Sequence, residues 1–201
     1  MNIPHIPVLY NETLEAFVNI NSGYIIDCTT GFAGHSSGLL SSNENIKLIC
    51  NDQDDEALAF SKNRLAPFEN RVIFNKGNFE HVIDTFKDYE IRGVLADIGV
   101  SSLQLDKLER GFGFESDTLD MRMDQTKALD AATVVNTYST SELERVFKEC
   151  GEVREYKKVA SLIVNNRPFT SAKEISELLS KKCQREKFIQ LLFLFKELEL
   201  R

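Results

Sequence analysis

The chain has 201 residues, 42% of them hydrophobic and 27% charged, with a formal net charge of −7. That is an ordinary globular composition with room for one large domain or two small ones; disorder is not the default reading, and no stretch comes near the roughly 18 apolar residues of a membrane span. Four scattered cysteines with no C-x-x-C pair, and no histidine at ligand spacing, suggest neither a zinc site nor a disulfide framework, and point to a reducing cytosol.

The N-terminus, Met1-Asn-Ile-Pro-His-Ile-Pro, lacks a basic stretch followed by an apolar one, so a soluble, unprocessed protein is expected. Four short apolar runs rich in β-branched residues follow, at residues 24–27, 46–52, 72–75 and 93–97. Helical patterns separate them: one capped by Asn11 and running to Phe17, one starting at residues 36–40, one over 55–65 and one over 79–86. Strand and helix in alternation predict βα units on a parallel sheet.

From Asp106 the pattern changes to a Gly- and Asp-rich segment and then to helices, with no further strand run. Ser139 with Glu142 forms a capping box ahead of Leu143, Val146 and Phe147, and Gly151 ends that helix. Residues 155–165 place Tyr156, Val159, Ala160, Ile163 and Val164 at helical spacing, with Lys157 and Lys158 facing elsewhere and Pro168 as the stop. Ser171 and Glu174 make a second box ahead of Ile175, Leu178 and Leu179. The expected organisation is residues 1–105 in the α/β part, 106–182 in a helical subdomain and 183–201 in an atypical tail. Charge follows it unevenly: residues 1–150 carry 13 basic and 24 acidic side chains, residues 151–201 carry 11 and 7. Nucleic-acid contacts are therefore expected in the C-terminal part, around Lys157, Lys158 and Arg167; the alternative is an ordinary solvated helix face.

The first strand ends in Asp27-Cys-Thr-Thr-Gly-Phe-Ala-Gly-His-Ser36, where small residues at 31, 33 and 34 let backbone approach a ligand before a helix begins. It is neither the G-x-G-x-x-G fingerprint nor a Walker loop, which disfavours pyrophosphate and triphosphate. Asp52 stands 21 residues after Gly31 at the second strand's end, where a carboxylate can accept both hydroxyls of a ribose. After the third strand, Phe79 can face an adenine or join the core. Asp97, closing the fourth run, emerges beside the first strand at the topological switch point, or caps a turn.

The motifs His5-Ile-Pro-Val-Leu, Asp27 to Ser36, Asp97-Ile-Gly-Val-Ser-Ser-Leu-Gln-Leu-Asp106, Glu109-Arg-Gly-Phe-Gly-Phe114 and Leu119-Asp-Met-Arg-Met-Asp124 stand in order over residues 5–124. In them the chain resembles the bacterial small-subunit rRNA (cytosine-N4)-methyltransferase H family, and the helices to about residue 182 are similar to that family's inserted domain. The resemblance implies a Rossmann-like class I fold and methyl transfer from S-adenosylmethionine to the N4 of a cytidine in the decoding region of 16S rRNA. The partner would be the small ribosomal subunit in the cytoplasm; the oligomeric state stays open, a homodimer being one arrangement. It further implies that the backbone of Ala33, Gly34 and His35 meets the methionine end, Asp52 the ribose and Phe79 the adenine, with Asp97 and Gln104 completing the cofactor site. Asp97 is also the candidate acceptor for the cytosine amino group; His35 serves better as a loop donor than as a base, and His5 and His81 are structural or exposed. Ala33 replaces the family's usual glycine, one methyl more in the loop. A DNA cytosine methyltransferase is disfavoured because Asp97-Ile-Gly-Val lacks a Pro-Pro-aromatic run.

The resemblance stops near Cys183, where a return to the sheet is expected and the residues to Arg201 do not provide one. A frameshift near residues 183–187 or a truncation is expected. So is weak or absent catalysis with cofactor binding retained, the alternative function being an inactive remnant that binds S-adenosylmethionine, RNA or both.

Overall fold

Strand follows helix through the first half of the chain, and the result is a four-stranded, all-parallel sheet in the order β3-β2-β1-β4. Its strands are β1 (Gly23–Asp27), β2 (Ile46–Asp52), β3 (Val72–Lys76) and β4 (Ile91–Leu95). The computed structural model describes residues 7–149 and 153–182. They fall into two compact units, one ending at Ile98 and the other beginning at Gly99. His5, Gly151 and the segment from Cys183 lie outside the described residues.

In the first unit the helices are α1 (Tyr10–Ala16), α2 (Gly34–Ser42), α3 (Asp55–Arg64) and α4 (Val82–Thr85). Period-two alternation sends Ile25, Leu48 and Cys50 into one core with Leu39, Leu40 and Leu65, and Ile26 and Ile49 into another with Val82 and Phe86. Both faces of the sheet are thus covered, as a parallel sheet requires. Pairing of Asp27 with Cys50 and with Leu95, and of Asp52 with Lys76, brings the carboxyl ends of all four strands to one edge.

Three local expectations are corrected. Leu9, not Asn11, is the N-cap of α1: it sits in the left-handed region at φ 51°, its carbonyl accepts the Thr13 N–H at 2.8 Å, and Asn11 is inside the first turn. The helix expected over 79–86 divides into a 3-10 turn, Phe79–His81, capped by Asn78, and the short α4. The fourth strand starts and stops two residues early, because Ile91 already pairs with Tyr24. Gly93 is therefore a mid-strand residue, and a Cβ there would lie 2.7 Å from the Phe17 ring. Asp97 lies two residues beyond the strand.

The second unit is helical: α5 (Ser102–Asp106), α6 (Ala131–Thr137), α7 (Thr140–Glu149), α8 (Tyr156–Asn165) and α9 (Ala172–Lys182). Leu143, Val146 and Phe147 of α7 and Val159, Ala160 and Ile163 of α8 are buried together, as their spacing predicts. Phe112, Leu119 and Met121 join the same core, so two of the motifs that carry the resemblance build this unit's interior. The box at α7 forms in full: Glu142 accepts the Ser139 N–H at 2.7 Å and Ser139 Oγ accepts the Glu142 N–H at 3.3 Å. At α9 the Ser171 hydroxyl accepts the Glu174 N–H at 3.2 Å, but Glu174 reaches back to the N–H of Thr170, not to that of Ser171. Among the described residues no strand follows β4, and no helix is long and apolar enough to cross a membrane.

Candidate functional site

At the shared strand edge the loop from Asp27 to Ser36 is held by every segment around it. Asp27, 2% exposed, accepts the Ser36 hydroxyl at 2.6 Å and the Thr29 N–H at 3.3 Å. Burial dominates its chemistry: desolvation lifts the carboxyl from its ordinary 3.8 to about 6, against the lowering effect of Ser36 and Thr29. The Thr30 N–H donates to the Asn51 carbonyl at 2.9 Å, and Arg64 of α3 donates to the Phe32 carbonyl at 2.9 Å. The Thr29 hydroxyl takes the Asp97 N–H at 2.8 Å, joining the end of the β4 segment to the same loop.

Asp52 reaches this loop directly. Its Oδ2 accepts the Gly31 N–H at 2.8 Å and its Oδ1 the Asp54 N–H at 3.0 Å, while burial pushes its carboxyl above the usual range. The Gln53 N–H donates to it as well, so three backbone amides hold the carboxylate, and of the about four acceptor sites a carboxylate offers there is room for a further donor. Gly31 is open beside it: a Cβ built there would meet only the Thr29 carbonyl, at 3.9 Å. The carboxylate can accept a hydroxyl of a neighbouring ligand next to open backbone.

The other residues singled out from sequence divide. Ala33 is the N-cap of α2 in the left-handed region, at φ 55°. Its N–H donates to the Thr30 carbonyl at 2.7 Å, and its methyl is fully buried in the core with Leu39 and Leu40. The extra methyl therefore fills the core. Gly34 and His35 occupy the first turn of α2, whose N–H groups have no acceptor within the helix. Pro7 rests on Gly34, where a Cβ would lie 2.3 Å from its ring. The His35 ring is buried, donates from Nε2 to the Val8 carbonyl at 3.0 Å and stacks on Tyr10. Its side chain fastens residues 8–10 to α2.

Phe79 is half-buried against Ile26, Ile49 and Val82, so part of the ring belongs to the core. The Asp97 side chain is exposed. Gln104 lies in the second unit, where its Oε1 accepts the Ser101 N–H at 2.9 Å and its own N–H donates to Ser101 Oγ at 3.2 Å. That reciprocal box opens α5, and Ser101-x-x-Gln104 announces it in the sequence.

The chain matches the model of the MraW methylase family over residues 2–191. It belongs to that family. Methylases of this family use S-adenosylmethionine. The ribosomal RNA small subunit methyltransferase H of Aliarcobacter butzleri is 82% identical over 187 residues, which cover 93% of this chain and 62% of that protein. Its counterpart in Sulfurimonas denitrificans is 58% identical over 181 residues, covering 88% and 59%. The chain spans about three-fifths of the length of the curated relatives it matches.

Sequence reading of this family member missed two groups. Asn51, 1% exposed, ties three strand ends together, and its signal was a polar side chain next to last in the run 46–52. Thr29, which receives the Asp97 N–H, carried no signal, since only the fold brings residues 68 apart together.

Proposed function

We propose that this chain is the cofactor-binding part of a small-subunit rRNA methyltransferase that methylates the N4 amino group of a cytidine in the decoding region of 16S rRNA, in the cytoplasm. The observation that carries the reading is the Asp52 carboxylate bound to the Gly31 N–H at the carboxyl edge of a parallel sheet, in a chain of the methylase family. S-adenosylmethionine supplies, when bound, an electrophilic methyl group with its own leaving group.

The residues present fit that molecule. Asp52 meets the ribose, accepting a hydroxyl with the capacity its amide bonds leave over. The first-turn N–H groups of Gly34 and His35 face the carboxylate of the methionine end, as helix N-termini favour anions. Ala33 contributes the turn itself rather than a donor, since its N–H is engaged by Thr30. Phe79 offers the part of its ring not in the core to the adenine, and Gln104 is kept as a cofactor residue on the family resemblance alone. Asp97 accepts an N–H of the cytosine amino group, which favours the pyramidal, nucleophilic nitrogen; the rest of the protein's work is alignment of an extruded base. The helices over 106–182 form the inserted domain, and Lys157 and Lys158, both exposed, are its candidate RNA contacts.

Isothermal titration with S-adenosylmethionine, followed by transfer of labelled methyl groups to small ribosomal subunits, tests this. Binding with transfer to a cytidine N4 is the expected behaviour of the enzyme. Binding without transfer supports the second reading, a chain that binds the cofactor and does not methylate. Absence of binding overturns the cofactor reading.

A further inference from the structure

The buried amide of Asn51 sits where three of the strand ends meet. Its Nδ2 donates to the Cys28 carbonyl, after β1, and to the Gly77 carbonyl, after β3, each at 3.0 Å. Two carbonyl neighbours demand the two N–H bonds of an amide, so the orientation of the group is set by chemistry. Its Oδ1 in turn accepts the Asn75 Nδ2 at 2.7 Å. The backbone continues the pattern: the Asn51 carbonyl takes the Thr30 N–H at 2.9 Å and the Asp52 carbonyl takes the Gly77 N–H at 3.0 Å. With the Asp52 side chain on Gly31, two consecutive residues of β2 hold the loops that follow β1 and β3.

These are loops that must be held at a fixed spacing for one ligand to touch both. Among the described residues, the bonds that link the Gly31 loop to the Gly77 loop run through Asn51 and Asp52. We propose that Asn51 is a positioning residue for the cofactor site: its side-chain amide sets the spacing between the Gly31 and Gly77 loops, and so the affinity for S-adenosylmethionine, without touching the ligand. This rests on the reading above that the cofactor binds at this edge.

The Asn51→Asp variant keeps the shape of the side chain and turns two donors into an acceptor facing two carbonyls. Expected is a weakening of S-adenosylmethionine binding by roughly 10- to 100-fold, the scale on which unpaired buried polar groups act. Asn75→Ala, which removes only the donor that orients the amide, weakens binding less. Ile46→Ala serves as the control: Ile46 is buried at the opposite end of β2, so it lowers stability without reaching the loops. Each affinity is measured by titration at a temperature where circular dichroism shows the variant folded.

Loss of affinity in Asn51→Asp with binding near the wild-type value in Ile46→Ala supports the proposal. Equal loss in both, or unchanged affinity in Asn51→Asp, overturns it. If Asn51→Asp does not fold, Asn75→Ala decides on the same comparison. If the wild-type chain itself does not bind, the cofactor reading is what fails, and amide hydrogen exchange then judges the clamp. Faster exchange at Thr30, Gly31 and Gly77 in Asn51→Asp, with Ile26 and Ile49 unchanged, supports it, and unchanged exchange at the three overturns it.

Discussion

Asp52 combines two jobs that a single substitution separates. Its carboxylate holds the Gly31 N–H and is the proposed acceptor for a ribose hydroxyl, so Asp52→Asn keeps one amide acceptor and loses the other together with the charge. The expected result is a loss of S-adenosylmethionine affinity of roughly 10-fold or more, with a small drop in melting temperature, since charged acceptors contribute about 1.5–3 kcal/mol each. Unchanged affinity by titration would remove Asp52 from the site. Ala33 makes a different kind of prediction, in which two effects oppose. Ala33→Gly relieves a left-handed alanine, worth about 1–2 kcal/mol, but removes a fully buried methyl worth about 0.8 kcal/mol and loosens the unfolded chain by a further 0.4–1 kcal/mol or so. Denaturant unfolding should therefore show a change of under about 1 kcal/mol. A loss of several kcal/mol would mean that the methyl does more packing than its neighbours suggest. From sequence, Ala33 read as crowding in a ligand loop; only the fold shows which way its Cβ points.

Helix ends decide what the basic residues of the second unit are free to do. Arg167 was grouped with Lys157 and Lys158 as a candidate RNA contact, yet its guanidinium donates to the carbonyls of Val135 at 2.6 Å and Tyr138 at 2.5 Å, at the C-terminal end of α6. A guanidinium there satisfies carbonyls that have no helical partner and complements the helix dipole. Arg167→Ala is accordingly expected to cost about 1.5–3 kcal/mol of stability, whereas Lys157→Ala with Lys158→Ala, on an exposed face, should stay within about 0.5 kcal/mol. Chemical denaturation of both variants checks this; equal effects would contradict the assignment. The same contrast explains what the sequence could and could not reveal. Capping boxes and apolar spacing are local, and they located α7, α8, β1, β2 and α3 to within a residue or two. The box at Ser101 and Gln104 is just as local, but Gln104 was read through its family role. The early start of β4 and the commitment of Arg167 depend on partners far along the chain, Tyr24 and Val135, which no local pattern contains.

For the whole molecule, the question is how its stability depends on pH, and two kinds of carboxylate oppose each other. Asp120 is held below its ordinary range, chiefly by hydrogen bonds from the Arg122 guanidinium, so its contribution is present at neutral pH and is lost as the medium is acidified below the usual carboxylate range. Asp27 works the other way. Its folded value of about 6 exceeds its ordinary 3.8, so the folded chain binds a proton that the unfolded chain has released, and stability falls as pH rises through that window. At about 1.4 kcal/mol per unit, the effect is on the order of 3 kcal/mol. Asp52, also raised by burial, adds in the same direction. Self-repulsion strengthens the trend, because the chain carries a formal net charge of −7 at pH 7 and its composition implies an isoelectric point of about 5.1. The melting temperature is therefore expected to be highest on the acid side of neutrality, near the isoelectric point, and to decline towards pH 7. Asp27→Asn should flatten that decline: its Oδ1 can still take the Thr29 N–H, and its Nδ2 can donate to Ser36 Oγ, with no carboxylate to ionise. Thermal unfolding of the two proteins across this range gives the difference directly, and parallel profiles would show that Asp27 ionises in the folded protein without cost.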